Sequence, residues 1–188
     1  LGSDRKASVQ YFIKTGEQYT IESVRKKINS RALDSLYELS LSESLIQKGN
    51  LFEINRFEAE RSRLINFFRN NGVYNFQQNS IQYTAAIDSS GVDTKIPVVI
   101  EIADLQKREN DTLKNVTYRI HPVSKINLYI DTPGKLGQLS SYTDSINHND
   151  FTIYFKGKLK FKPKALEEVI FIRNSQPYSD LERAQTYR

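Results

Sequence analysis

Between Arg56 and Arg69 the apolar residues keep a helical period, and on both sides of that stretch the period changes to two. Phe57, Leu64, Ile65 and Phe68, with Arg61 among them, fall on one helix face. Asn55 with Glu58 reads as a capping box. Asn70-Asn71-Gly72 reads as a stop, with Gly72 suited to the left-handed terminal conformation. Upstream, Tyr19, Ile21, Val24 and Ile28 mark a strand with Lys26 and Lys27 outward. Ser30 is placed to cap a short helix carrying Leu33, Leu36 and Leu39. Leu41, Leu45 and Ile46 form a further apolar cluster that stops at Lys48-Gly49. Downstream, Val73 to Phe76 leads into the strict alternation of Ile81, Tyr83, Ala85 and Ile87. Ser89 to Asp93 is a turn, and Ile96 to Ile102 is a strand with Val98, Ile100 and Ile102 on one side. The unit reads strand, helix, helix, strand, strand. Ahead of it, Val9, Tyr11 and Ile13 alternate as another strand, with a turn at Gly16 to Gln18.

The pattern then restarts. Asp104 to Asn115 is polar without apolar period and reads as a loop or linker. Tyr19 to Val24 and Tyr118 to Val123 share the spacing Y-x-I-x-x-V, 99 residues apart. Lys48 to Phe52 and Asn174 to Tyr178 form a second pair of landmarks, 126 residues apart. The second copy therefore carries about 27 extra residues, placed in the Gly-, Ser- and Asn-rich stretch Asp131 to Asp150. Tandem modules follow, the second reaching Arg188 inside its helical region, so that its last two strands are expected to be missing from this chain.

Composition narrows the function classes. The chain has 188 residues with 11 Tyr and 10 Phe, enough for a folded core. It has no Cys, which removes disulfides, thiolate zinc sites and cysteine nucleophiles. No apolar run has the length of a membrane-spanning helix. His121 and His148 are far apart in the chain, and no nucleophile elbow, zinc-protease motif or phosphate loop occurs. Glu58 and Glu60 do not share a helix face, nor do Glu167 and Glu168. Asp88, Asp93 and Glu101 lack the spacing of a calcium loop. We expect no enzyme, no cofactor, no metal site and no small-molecule substrate.

Two surfaces stand out. With 27 basic against 22 acidic residues the net charge is +5, and Lys156, Lys158, Lys160, Lys162 and Lys164 alternate with Gly157, Leu159, Phe161 and Pro163. In a strand this places five ammonium groups on one face. That face is either a binder of anionic lipid or nucleic acid, or a solvated surface that discourages edge-to-edge aggregation. The aromatic residues lie opposite the lysines, which argues against nucleic acid. The other surface is a sheet edge able to accept an extended peptide by strand addition. The candidate is Ser80 to Asp88, with Ser80, Ile81, Gln82, Tyr83, Thr84, Ala85 and Ala86 at the edge and Ser80, Gln82, Thr84 and Ala86 outward.

The order of elements resembles the polypeptide-transport-associated (POTRA) domain. Gly16 to Val24 resembles the join between two such modules. Gly49 to Phe52, Glu58 to Leu64 and Phe68 to Phe76 resemble the helical centre of one module, and Phe161 to Leu166 with Pro177 to Ser179 that of the next. Taken together they resemble outer-membrane assembly proteins of BamA and TamA type, and the long insertion is similar to the TamL lipoprotein form of the Bacteroidetes. The resemblance implies an α+β fold of tandem modules, each a three-stranded mixed sheet covered by two helices. Residues 1–17 would hold a tag and a preceding module's last strand, 18–104 a first module, 105–116 a linker, and 117–188 a second module with its insertion. It also implies a place on the periplasmic side of the outer membrane of a Gram-negative bacterium. Unfolded outer-membrane proteins and periplasmic or lipoprotein accessory subunits would be the partners. A spacer that positions a β-barrel is the alternative.

Overall fold

In the computed structural model, which describes residues 8–13, 16–88, 90, 93–130 and 142–187, the first module runs β1 (Thr20–Ile28), α1 (Arg31–Ser40), α2 (Ile54–Asn70), β2 (Ile81–Ala85) and β3 (Lys95–Ile102). This is the expected order. The sheet order is β1-β3-β2, with β1 parallel and β2 antiparallel to β3. β3 takes the centre because Ile96, Val98, Ile100 and Ile102 are all buried. β2 ends at Ala85 for a local reason: the next position on the ladder faces Pro97, which accepts from Ala86 N–H at 3.3 Å but has no N–H to return. Over the sheet lie Leu33, Leu36 and Tyr37 of α1 and Leu64 and Phe68 of α2, joined by Val73 and Phe76.

Several local expectations are corrected. α2 begins at Ile54, so Glu53 is its N-cap and Asn55 with Glu58 forms no capping box; Glu58 instead pairs with Arg61 at 2.5 Å. Ser30 precedes α1 but makes no cap bond. Its hydroxyl donates to Asp104 at 2.5 Å and accepts from Tyr118 N–H at 2.8 Å. Leu39 is exposed, its place in the core taken by Tyr37. Residues Leu41–Glu43 make one short 3-10 turn rather than the end of a helix. Val9, Tyr11 and Ile13 pair with no strand among the described residues and are exposed. Of the predicted turn at Ser89 to Asp93, Ser89, Gly91 and Val92 lie outside the described residues.

The expected linker is a hairpin, β4 (Leu105–Glu109) with β5 (Thr112–Val116). Asn110 and Asp111 both take positive φ, 48° and 59°, the turn that matches strand twist. Both faces of this ribbon are exposed, so no alternation of apolar residues announces it.

The second module departs from the expected order. It runs β6 (Ile126–Tyr129), β7 (Asp144–His148), β8 (Phe151–Phe155), α3 (Pro163–Val169) and α4 (Asp180–Thr186). Its sheet order, β6-β8-β7, repeats the first, with β6 parallel and β7 antiparallel to β8. The sheet is thus filled by a hairpin placed before the helices, and no strand follows α4 among the described residues. Residues 131–141 of the predicted insertion lie outside the described residues, and 144–148 form β7. At the β7–β8 turn Glu167 of α3 accepts from Asn149 Nδ2 and lies 3.0 Å from His148 Nε2. The Asn149 bond first, and His148 next, hold the Glu167 carboxyl below its ordinary value of 4.5. A depressed carboxylate stabilises the fold above its unfolded pKa, and that share is lost as pH falls through the folded one. Melting curves of the Glu167→Gln variant should therefore lose the part of the acid destabilisation, below pH 4.5, that the unmodified chain shows.

Backbone bonds correct the repeat. Ile21 N–H donates to Asn50 O at 2.8 Å, Gly49 N–H to Ile21 O at 2.8 Å, and Phe52 N–H to Tyr19 O at 2.8 Å. Val123 N–H donates to Gln176 O at 2.8 Å, Ser175 N–H to Val123 O at 2.7 Å, and Tyr178 N–H to His121 O at 2.9 Å. Gly49 and Ser175 both have positive φ, 87° and 63°. Tyr19 therefore matches His121, an offset of 102 rather than 99, while the offset of 126 for the later landmark holds. The excess is 24 residues.

Tyr118, expected to open the second module, belongs to the first core. It is buried, its ring sits 5.1 Å from Phe76, and its hydroxyl lies 2.8 Å from Ser80 Oγ. The modules meet at the end of α2. Gly72, at φ 92°, donates to Tyr178 O at 2.8 Å and accepts from His121 N–H at 2.9 Å. Asn70 Oδ1 accepts from Leu181 N–H at 2.9 Å, and Tyr74 packs edge-on against His121 and Tyr178.

Candidate functional site: an open sheet edge

In the first sheet β2 pairs only with β3 among the described residues. Ala86 N–H donates to Pro97 O, and Ala103 N–H donates to Ser80 O at 2.8 Å, so the even-numbered residues bond to β3. In an antiparallel ladder the intervening residues turn their N–H and C=O the other way. Ile81, Tyr83 and Ala85 therefore present backbone donors and acceptors at the rim. Their side chains point to the helices, whereas Gln82, Thr84 and Ala86 are exposed on the opposite face. Ser80 is corrected: it was expected outward but is buried, its hydroxyl held by Tyr118.

The helix side of this rim is aromatic. Tyr83 meets Phe57 edge-on at 5.1 Å, and the Arg61 guanidinium lies 5.3 Å over the Tyr83 ring. Burial, and then the nearby Glu60 charge, push the Tyr83 phenol well above its ordinary value. Its ring forms part of the wall beside the rim. Beneath it Glu60 is buried and fully bonded. Oε1 accepts from Ser44 Oγ at 3.0 Å and Arg63 NH2 at 2.7 Å; Oε2 accepts from Leu45 N–H at 2.9 Å and Arg63 Nε at 2.8 Å. This carboxylate pins the α1–α2 connection under the edge.

The lysine series forms no single strand face. β8 ends at Phe155, Gly157 turns the chain at φ 73°, and Pro163 opens α3 at its first turn. Lys156, Lys158, Lys160 and Lys162 lie on the loop and Lys164 on the helix, all exposed. The Gly and Pro punctuation was the signal that outweighs the alternation. The junction residues around Gly72 were missed because the repeat was aligned three residues out of register.

Among the described residues no group of His, Asp and Glu is placed to hold a metal ion, and no helix is long and apolar enough to cross a membrane. No protein-family model matches the chain. No curated protein matches it. Among solved structures it is similar to the POTRA3-5 segment of BamA from Haemophilus influenzae, over 94% of this chain and 86% of that one, at 12% identity and a TM-score of 0.41.

Proposed function

We propose that the chain is a non-enzymatic, polypeptide-binding segment that works on the periplasmic side of an outer membrane. In this reading it takes up unfolded outer-membrane proteins, or accessory subunits, by strand addition and delivers them towards a β-barrel. The observation that carries the reading is the β2 rim, where Ile81, Tyr83 and Ala85 turn unpaired backbone groups outward beside an aromatic wall. Backbone pairing supplies affinity that tolerates many sequences, and alternate side chains supply the selectivity. The TamA-like or TamL-like assignment belongs to the same proposal and rests on the sequence resemblance alone.

Ala85→Pro tests it. The substitution removes an outward N–H and leaves the β3 ladder whole, a change that edge strands accept. A photo-crosslinker at Gln82 or Thr84 should capture an unfolded β-barrel precursor. Ala85→Pro should lower capture by about tenfold, the loss that one or two backbone bonds represent. Capture unchanged by Ala85→Pro would remove strand addition at β2, and no capture with barrel assembly unchanged would identify the segment as a spacer instead.

A further inference from the structure

The second sheet has an open edge of its own, on β6. Ile130 N–H donates to Tyr154 O at 2.9 Å, which fixes Ile126, Leu128 and Ile130 as the residues bonded towards β8. Asn127 and Tyr129 then turn their N–H and C=O groups outward. Upstream on this edge the chain already receives an antiparallel partner, since Val123 exchanges bonds with Ser175 and Gln176 and Pro122 bridges Pro177. Past that point no further pairing occurs among the described residues, and a groove of about 790 Å³ lies against β6. Ile126, Leu128, Leu166 and Ile170 form one wall. Tyr129 and Tyr142, with rings 5.2 Å apart, stand at the other.

In the first module the helix-facing side of the matching strand, β1, is filled. Val24 and Ile28, which match Ile126 and Ile130, pack among Leu33, Leu36, Leu64 and Phe68. Lys26, which matches Leu128, is held by Asp34 and Glu38 of α1. The change from a lysine tied to a helix to a leucine lining a groove makes the helix side of this strand apolar.

We propose that the outer edge of β6 is a second strand-accepting site. Its occupant is an extended peptide whose apolar side chains alternate, lying antiparallel to β6 and continuing the pairing that Ser175 to Tyr178 begin. Alternate side chains of that strand meet Ile126, Leu128 and Ile170 on one side and the two tyrosines on the other. The proposal rests on the strand-addition reading given above. An extended strand is favoured over a helix because only a strand uses the outward backbone groups of Asn127 and Tyr129.

The test titrates a fluorescein-labelled peptide of about nine residues, alternating Val and Thr, a usual strand length, into the whole 188-residue chain. In the Ala85→Pro chain, where the β2 edge is blocked, fluorescence anisotropy should show saturable binding that adding Asn127→Pro weakens by about tenfold or more, as does N-methylation of alternate peptide amides. The methylated peptide keeps the test decisive even where Asn127→Pro fails to fold. Binding lost only in Ala85→Pro overturns the β6 site and leaves the β2 reading standing. Absence of binding at either edge defeats both. A helical signal from the bound peptide, or dimerisation of the chain at the same concentrations, assigns the groove to another occupant and overturns the proposal.

Discussion

Glu60→Ala unfolds the first module at a temperature roughly 10–20 °C below the unmodified chain, a loss of about 3–5 kcal/mol. The carboxylate is 1% exposed and accepts four bonds, two of them from the forked Arg63 side chain. Its removal strands the Arg63 guanidinium, which the Glu60 bond holds above its ordinary pKa, and leaves Ser44 Oγ and Leu45 N–H without their acceptor. The cost comes from the partners left behind more than from the pair itself. Glu60→Ala combined with Arg63→Met should recover much of the loss in thermal melts. A single variant that melts within 2 °C of the unmodified chain, about what a surface change gives, would show that the pair holds nothing in place.

Gly72→Val should cost about 2–5 kcal/mol and separate the modules as well as weaken them. Two independent effects add. A β-branched residue at φ 92° is in the left-handed region, and a β-carbon there would lie 2.6 Å from Ile120 Cγ2. The bonds to Tyr178 O and from His121 N–H then break together, and both are module-to-module bonds. Limited proteolysis should find a new cut near residues 117–125. Pairing Gly72→Ala with Ile120→Ala should relieve the steric part and leave the backbone strain. Proteolysis of Gly72→Val identical to that of the unmodified chain would remove the junction from this account.

How far the sequence discloses this architecture depends on where each element gets its stability. β3 and α2 were legible because their own side chains build the core: Ile96, Val98, Ile100 and Ile102 on one, Phe57, Leu64 and Phe68 on the other. Gly72 was legible as a helix stop, though not as a joint, because its second role depends on Tyr178, more than 100 positions away. The β4–β5 hairpin was invisible because a ribbon exposed on both faces has no reason to alternate. Five alternating lysines gave a false strand, since solvated charges carry no information about which face is buried and Gly157 and Pro163 do. β2 was legible as a strand from the alternation of Ile81, Tyr83 and Ala85, but Ser80 was placed wrongly because the hydroxyl that holds it belongs to Tyr118. The β6 rim could not be foreseen at all. Its strand is four residues long, too short for an alternation to stand out.

The two sheets reach one strand order by routes of different length. In the first, Thr20 meets Lys95, 75 positions on, only after both helices have been threaded. In the second, Ile126 meets Phe151 after 25. Bringing ends together across a threefold shorter tether costs roughly 1 kcal/mol less chain entropy, so β6, β7 and β8 can assemble before their helices arrive. The first module must hold its central strand position vacant until nearly all of its chain has been made.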